Sequence, residues 1–280
     1  MSENYFESLK KYLKNCTTEA EYEIISIMDQ LYSSIFILSK SGDLNEGERM
    51  LKIADKEYNS LVKSSQIEDH VNIVRLPIIA YLFFKQGNFN ASKTLLEASL
   101  DASHQLEKEK DSFLLKMYQT QQYQNNARIL FKKEEYNEWC FEMTRVLSQS
   151  LNYSLSLNQE ETLVYVGMVD QLISEVIKFC DILKEEKYLQ TVLKDLKFKH
   201  PLFRTDKFLR SIKKWCILKT KIYKFEISFS DKNKYIEEIL RDDTLKIVYR
   251  KSLLKSITPY LKDEIFLNYL SIIKNKKQIC

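Results

Sequence analysis

The sequence predicts an all-α protein, arranged as a right-handed α-solenoid of stacked antiparallel helix pairs. Three observations predict it. Glycine and proline are nearly absent, with 4 and 3 copies in 280 residues, against roughly 12% together in an average chain. Apolar residues recur at helical spacing along almost the whole length. A short polar turn returns at a near-constant interval. The scarcity of glycine argues against sandwiches, barrels and nucleotide folds, which use glycine for tight turns and phosphate loops. With 44% apolar residues, 17 Tyr and 15 Phe, the chain has enough material for a helical core with thick aromatic packing.

The elements follow from caps and breaks. Thr18-Glu19-Ala20-Glu21 has the spacing of a capping box, and Asp43–Glu46 and Asn158–Glu161 resemble it. Polar breaks fall at Ser41-Gly42-Asp43, Gln86-Gly87-Asn88 and Lys133-Glu134-Glu135. Helices are therefore expected near 18–40, 44–65, 69–86, 89–109, 112–133, 136–157 and 159–184. His200-Pro201 marks a break, and further helices are expected near 206–228, 232–241, 244–257 and 260–275.

The breaks align as repeats. Residues 36–47 superpose on 81–92, with Lys40 on Lys85, Gly42 on Gly87, Leu44 on Phe89, Asn45 on Asn90 and small Gly47 on small Ser92. A third copy, 130–139, keeps a basic residue, aromatic Tyr136 and Asn137, but carries Glu134 at the glycine position and Trp139 at the small one. The offsets are 45 and 47 residues. Each unit reads as a helix, a tight turn and a second helix whose small residue permits a close crossing. Stacked pairs of this kind bury a continuous core.

The segments Lys-Ser-Gly-Asp-Leu-Asn-Glu-Gly (40–47) and Lys-Gln-Gly-Asn-Phe-Asn-Ala-Ser (85–92), with Ala54 at a second small position, resemble the inter-helix turn of tetratricopeptide repeats (TPR). The resemblance covers residues 24–157. It departs from the family in its longer period, its degenerate third copy and its missing closing proline. It implies a concave face lined by the first helix of each pair. On that face the alignment puts Asp29, Tyr32, Phe36 and Lys40, then Val74, Pro77, Tyr81 and Lys85, then Gln121, Gln124, Asn125, Arg128 and Lys132. The ladder Lys40–Lys85–Lys132 with Arg128 would present positive charge to a partner. The amides would pair with a peptide main chain, which needs both donors and acceptors. Longer helices of this type also resemble bacterial intracellular peptide receptors of the quorum-sensing kind, which implies an intracellular signalling-peptide receptor as one alternative. Residues 253–260, Leu-Leu-Lys-Ser-Ile-Thr-Pro-Tyr, resemble the helix end preceding the winged helix of proteasome-lid and signalosome subunits, a pointer to a complex subunit.

Charge divides the chain into two regions. Residues 1–182, the acidic TPR-like helical-repeat region, hold 19 Lys/Arg and 27 Asp/Glu. Residues 183–280, a basic helical C-terminal region expected to pack on the same solenoid, hold 24 and 12. The densest basic stretch is 194–224. On its helix Lys207, Arg210, Lys214 and Lys221 share a broad face, with Lys213 and Lys224 beside it, while Phe208, Ile212, Trp215, Cys216, Ile222 and Tyr223 point inward. Such a face serves nucleic acid, an acidic protein surface or solubility. The acidic region of a second copy would also suit it, giving a homo-oligomer.

Chemistry of its own is not expected. His70, His104 and His200 lie in separate segments without ligand spacing. Asp242-Asp243 lacks further carboxylates, and no glycine-rich phosphate loop occurs. Five well-separated cysteines (Cys16, Cys140, Cys180, Cys216, Cys280) form no C-x-x-C pair, and read as reduced thiols in a cytoplasmic or nuclear protein. No run of about 18 apolar residues is present, so no membrane partner is expected. The expectation is a non-enzymatic protein- or peptide-binding scaffold or adaptor without cofactors. The alternative is a nucleic-acid-binding helical protein using the 194–224 region.

Overall fold

The computed structural model describes residues 3–61, 67–109, 112–153, 156–224, 229–258 and 263–275. Pro259, Tyr260 and Cys280, singled out above, lie outside them. The described residues form fourteen α-helices and no strand: α1 Glu3–Cys16, α2 Glu19–Ser41, α3 Leu44–Leu61, α4 Glu68–Lys85, α5 Phe89–Glu109, α6 Phe113–Lys132, α7 Tyr136–Leu151, α8 Gln159–Leu183, α9 Glu186–Leu193, α10 Leu202–Thr205, α11 Lys207–Tyr223, α12 Phe229–Arg241, α13 Ile247–Ile257 and α14 Asp263–Asn275. Helices α1, α9 and α10 are additions to the sequence expectation. Helix α7 stops at Leu151 rather than 157, where the Asn152 side chain donates to the Ser148 carbonyl at 2.7 Å.

Two of the three expected capping boxes form, while at the start of α3 the structure shows the Glu46 N–H donating to Asp43 Oδ1 at 3.3 Å without a reciprocal bond from the Glu46 side chain. Thr18 and Glu21 cap α2 reciprocally, and Asn158 and Glu161 cap α8. The three aligned turns also share one backbone device. Gly42, Gly87 and Glu134 all adopt left-handed conformations, with φ of 92°, 79° and 63°. One residue later, the N–H groups of Asp43, Asn88 and Glu135 reach back to the carbonyls of Leu38, Phe83 and Leu130 at 2.9–3.0 Å. Glycine suits two of these positions because it lacks the Cβ that disfavours positive φ. A fourth turn of the same kind closes α8. Lys184 sits at φ 56°, and Glu185 N–H reaches the Cys180 carbonyl at 3.3 Å. Rings bracket the second and third turns, Phe84 against Phe89 at 5.7 Å and Phe131 against Tyr136 at 5.5 Å.

The chain divides into two compact units, Met1–Trp139 and Cys140–Cys280. The charge break at 182/183 lies within the second. In the first, α2 pairs with α3 and α4 with α5, while α4 also packs on α2 and α3. Helix α6 lies on α5, and α1 touches both α2 and α6. Gly47 sits at a close helix crossing. A Cβ there would approach Leu82 Cδ1 to 3.2 Å. Ser92, its counterpart, is buried and donates to the Ala80 carbonyl at 2.8 Å. Ala80, Leu96 and Ile129 join α4, α5 and α6 in one apolar cluster with Phe84, Phe89 and Leu95 around it.

In the second unit α11 packs on α8, α9, α10, α12 and α13. Trp215 is fully buried. It meets the Tyr249 ring edge-on at 5.2 Å and donates to the Tyr249 carbonyl at 2.8 Å. Trp139, the other tryptophan, is fully buried at the end of the first unit.

Candidate functional site

The first unit holds a cavity of about 450 Å³ bordered by α1, α2, α4, α5 and α6, within the ~300–1,000 Å³ typical of ligand sites. Helical periodicity brings its wall together. On α2, Asp29, Ser33, Phe36 and Lys40 recur every three or four residues, and on α4 so do Val74, Pro77 and Tyr81. Gln121, Asn125 and Arg128 do the same on α6. Phe36 and Tyr81 meet across the wall with ring centroids 5.1 Å apart. Pro77 lies inside α4. Lacking an N–H, it leaves the Ile73 carbonyl without its usual helical donor, and Ile73 also borders the cavity.

The amides on α6 bond to one another. Gln121 Nε2 donates to Gln124 Oε1 at 3.1 Å, Asn125 Nδ2 to Gln122 Oε1 at 3.1 Å, and Arg128 Nη1 to Asn125 Oδ1 at 2.9 Å. This chain orients the amides as a ribbon of donors and acceptors. Lys10, Lys40 and Arg128 bring positive charge to the lining and Asp29 brings negative charge, held 3.2 Å from Lys10 Nζ.

Four of the expected concave residues lie elsewhere. Tyr32 is fully buried, and its hydroxyl donates to Asp55 on α3 at 2.9 Å. Burial and the Asp55 carboxylate push its pKa well up. Tyr32 belongs to a cluster with Asp55 and Arg75, whose guanidinium lies 3.6 Å from Asp55 and 3.7 Å over the Tyr58 ring. Gln124 is buried behind the wall. Lys85 and Lys132 are exposed and do not border the cavity, so the lysine ladder contributes Lys40 alone. The sequence reading missed Leu9, Lys10 and Leu13 of α1, which complete the lining. Their signal was the i, i+4 spacing of the two leucines.

On the basic helix α11, Lys207, Arg210, Lys214, Lys221 and Lys224 are exposed and Lys213 is half-buried. Lys214 pairs with Glu238 on α12, so part of this charge is already met. Lys219 is different. It is fully buried, donating to Glu186 and to the Ser252 carbonyl at 3.1 Å each and to the Ser256 hydroxyl. Burial pulls its pKa down to about 8, against the raising effect of Glu186. Tyr223 also donates to Glu186. Burial lifts the Glu186 carboxyl, but Lys219 and these hydrogen bonds outweigh it and hold it low.

Cys140, Cys180 and Cys216 are buried thiols, and burial pushes Cys140 up to about 12. Among the described residues, no group of three or more His, Cys, Asp or Glu is placed to hold a metal. No described helix is long and apolar enough to cross a membrane. No family model matches the chain, and no curated protein or solved structure is found to be similar to it.

Proposed function

We propose that the first unit is a non-enzymatic peptide- or protein-binding module of the TPR-like, right-handed solenoid type, and that its cavity is the binding site. The observation that carries this reading is the convergence of Phe36, Lys40, Tyr81, Gln121, Asn125 and Arg128 on one cavity. An apolar wall with a tilted aromatic pair, Phe36 and Tyr81, takes a partner's side chains, and the amide ribbon takes its main chain. The wall's hydrogen-bonding amides and charges suit binding, and the module is read as a binder without chemistry of its own. A short signalling peptide is one form of such a partner.

The test is affinity capture from the native host, comparing Lys40→Glu/Arg128→Glu with Lys85→Glu/Lys132→Glu. The first pair, on the wall, loses the captured partner, and the second, off the wall, keeps it. Equal capture by both removes the reading.

A second reading rests on the exposed Lys207, Arg210 and Lys221 of α11, which offer point charges to nucleic-acid phosphates. Retention on RNA or DNA that falls steeply with salt, and disappears in Lys207→Glu/Arg210→Glu/Lys221→Glu, supports it. No retention at low salt ends it.

A further inference from the structure

Helix α1 is the one part of the cavity lining that the repeat alignment does not supply. Leu9, Tyr12 and Leu13 of α1 are buried. Leu9 and Leu13 border the cavity, and Lys10 between them pairs with Asp29 on the facing wall. The helix touches α2 on one side and α6 on the other. It is therefore an amphipathic helix seated by two apolar residues one turn apart and one cation, which is how helix-in-groove partners are anchored.

Its attachment leaves it separable. Only Thr17 and Thr18 join it to α2, and α2 is capped by its own Thr18–Glu21 box. Lifting α1 would leave the start of α2 satisfied, because those N–H groups are paired within the box and not with α1. Release gives up, among its contacts, the burial of Leu9, Tyr12 and Leu13 and the partly exposed Lys10–Asp29 pair, a cost that an incoming helix of the same chemistry returns.

We propose that the partner of this cavity is an amphipathic helix with the chemistry of α1, two apolar residues at i and i+4 with a basic residue between them, and that α1 is its built-in competitor. The inference rests on the reading of the cavity as a peptide site and specifies both the ligand and its regulation. Asp29 is the charge that meets the ligand's one basic residue at the place of Lys10, while Lys40 and Arg128 are left for acceptor groups elsewhere on the ligand. The bound helix takes the place of α1 while α2, α4 and α6 stay as they are.

The probe is a fluorescent peptide of residues 3–16 with Cys16→Ser, titrated into the full-length protein by anisotropy. In Leu13→Asp, which cannot seat its own α1, the peptide binds roughly tenfold or more tightly than in the unaltered chain, from the burial lost by one leucine. Lys10→Glu, a milder change at an exposed side chain, raises binding by a few-fold, the scale of a partly exposed ion pair, and guards against a Leu13→Asp chain that fails to fold. Adding Asp29→Lys to either variant lowers binding, and a peptide carrying Lys10→Glu restores it. Peptide binding that is the same in all three chains removes the competitor role of α1 while keeping the peptide-site reading. No binding in any folded variant overturns the α1-like ligand, and the capture experiment above then judges the peptide-site reading separately. A concentration-dependent dimer that Leu13→Asp abolishes overturns the proposal in favour of a second copy's α1 as occupant.

Discussion

The two units differ in where their polar side chains gather, although the first also ties helices together through Tyr32, Asp55 and Arg75. In Met1–Trp139, amides, hydroxyls and cations border a cavity, and many of their hydrogen bonds run along the surface of one helix. In Cys140–Cys280, comparable groups are paired from one helix to another, the Lys219 and Tyr249 ends deeply buried. Lys219, Glu186, Tyr223 and Ser256 form one cluster. Asp170, Lys246 and Tyr249 form a second, with Tyr249 donating to Asp170 at 3.0 Å. Ser211 donates to Asp242 at 2.5 Å, and Thr244 to Ser211 at 3.0 Å. A polar group with a buried partner specifies packing, and one beside a void is available to a ligand. The contrast argues for recognition in the first unit and for structural use of buried charge in the second.

The largest expected effect tests the second unit. Lys219→Met strands Glu186 without its cation and lowers stability by about 3 kcal/mol in urea unfolding, while Lys219→Met/Glu186→Gln recovers most of it. A single variant as stable as the parent would mean that this cluster is not holding the second unit together. The Lys219 pKa of about 8, against 10.5 ordinarily, also fixes the sign of a pH effect. Between those values the unfolded chain holds more protons than the folded one, so this group makes stability rise with pH above about 8. Lys219→Met loses that slope. In the first unit Tyr58, pushed up to about 12 by burial from 10.0, does the reverse. The folded state holds the extra proton, so stability falls as pH rises through 10 towards 12, and Tyr58→Phe removes that loss.

Next comes close packing in the first unit. Gly47→Val drives side-chain atoms into Leu82 and costs about 2 kcal/mol by thermal or urea unfolding. The smallest effect distinguishes the turns. Glu134→Gly relieves a left-handed residue that carries a Cβ and raises stability by about 1 kcal/mol, whereas Gly87→Ala lowers it by a similar amount.

Much of this was legible before any coordinates. Helical spacing marked the longer helices, and the Gly42/Gly87/Glu134 alignment located three left-handed turns although the third carries no glycine. The fourth, at Lys184, escaped because neither a glycine nor an aromatic bracket marks it. Helix α1 escaped because its start is polar and its apolar stripe is short. Tyr32 was read onto the open face because it lies four residues before Phe36, but helix periodicity does not register that Asp55 on the neighbouring helix draws its hydroxyl inward. Lys219 stands in a basic run, where lysine is ordinarily solvated. Yet it follows Trp215 by four residues and precedes Ile222 by three, and that spacing already placed it on the inward side.

The two tryptophans, Trp139 and Trp215, are fully sheltered, and each belongs to a different unit. Their emission therefore supplies two built-in optical thermometers. Trp139→Phe leaves a chain whose fluorescence follows the second half alone, and Trp215→Phe leaves one that follows the first. Melting the two side by side tells whether the halves give way together or in sequence.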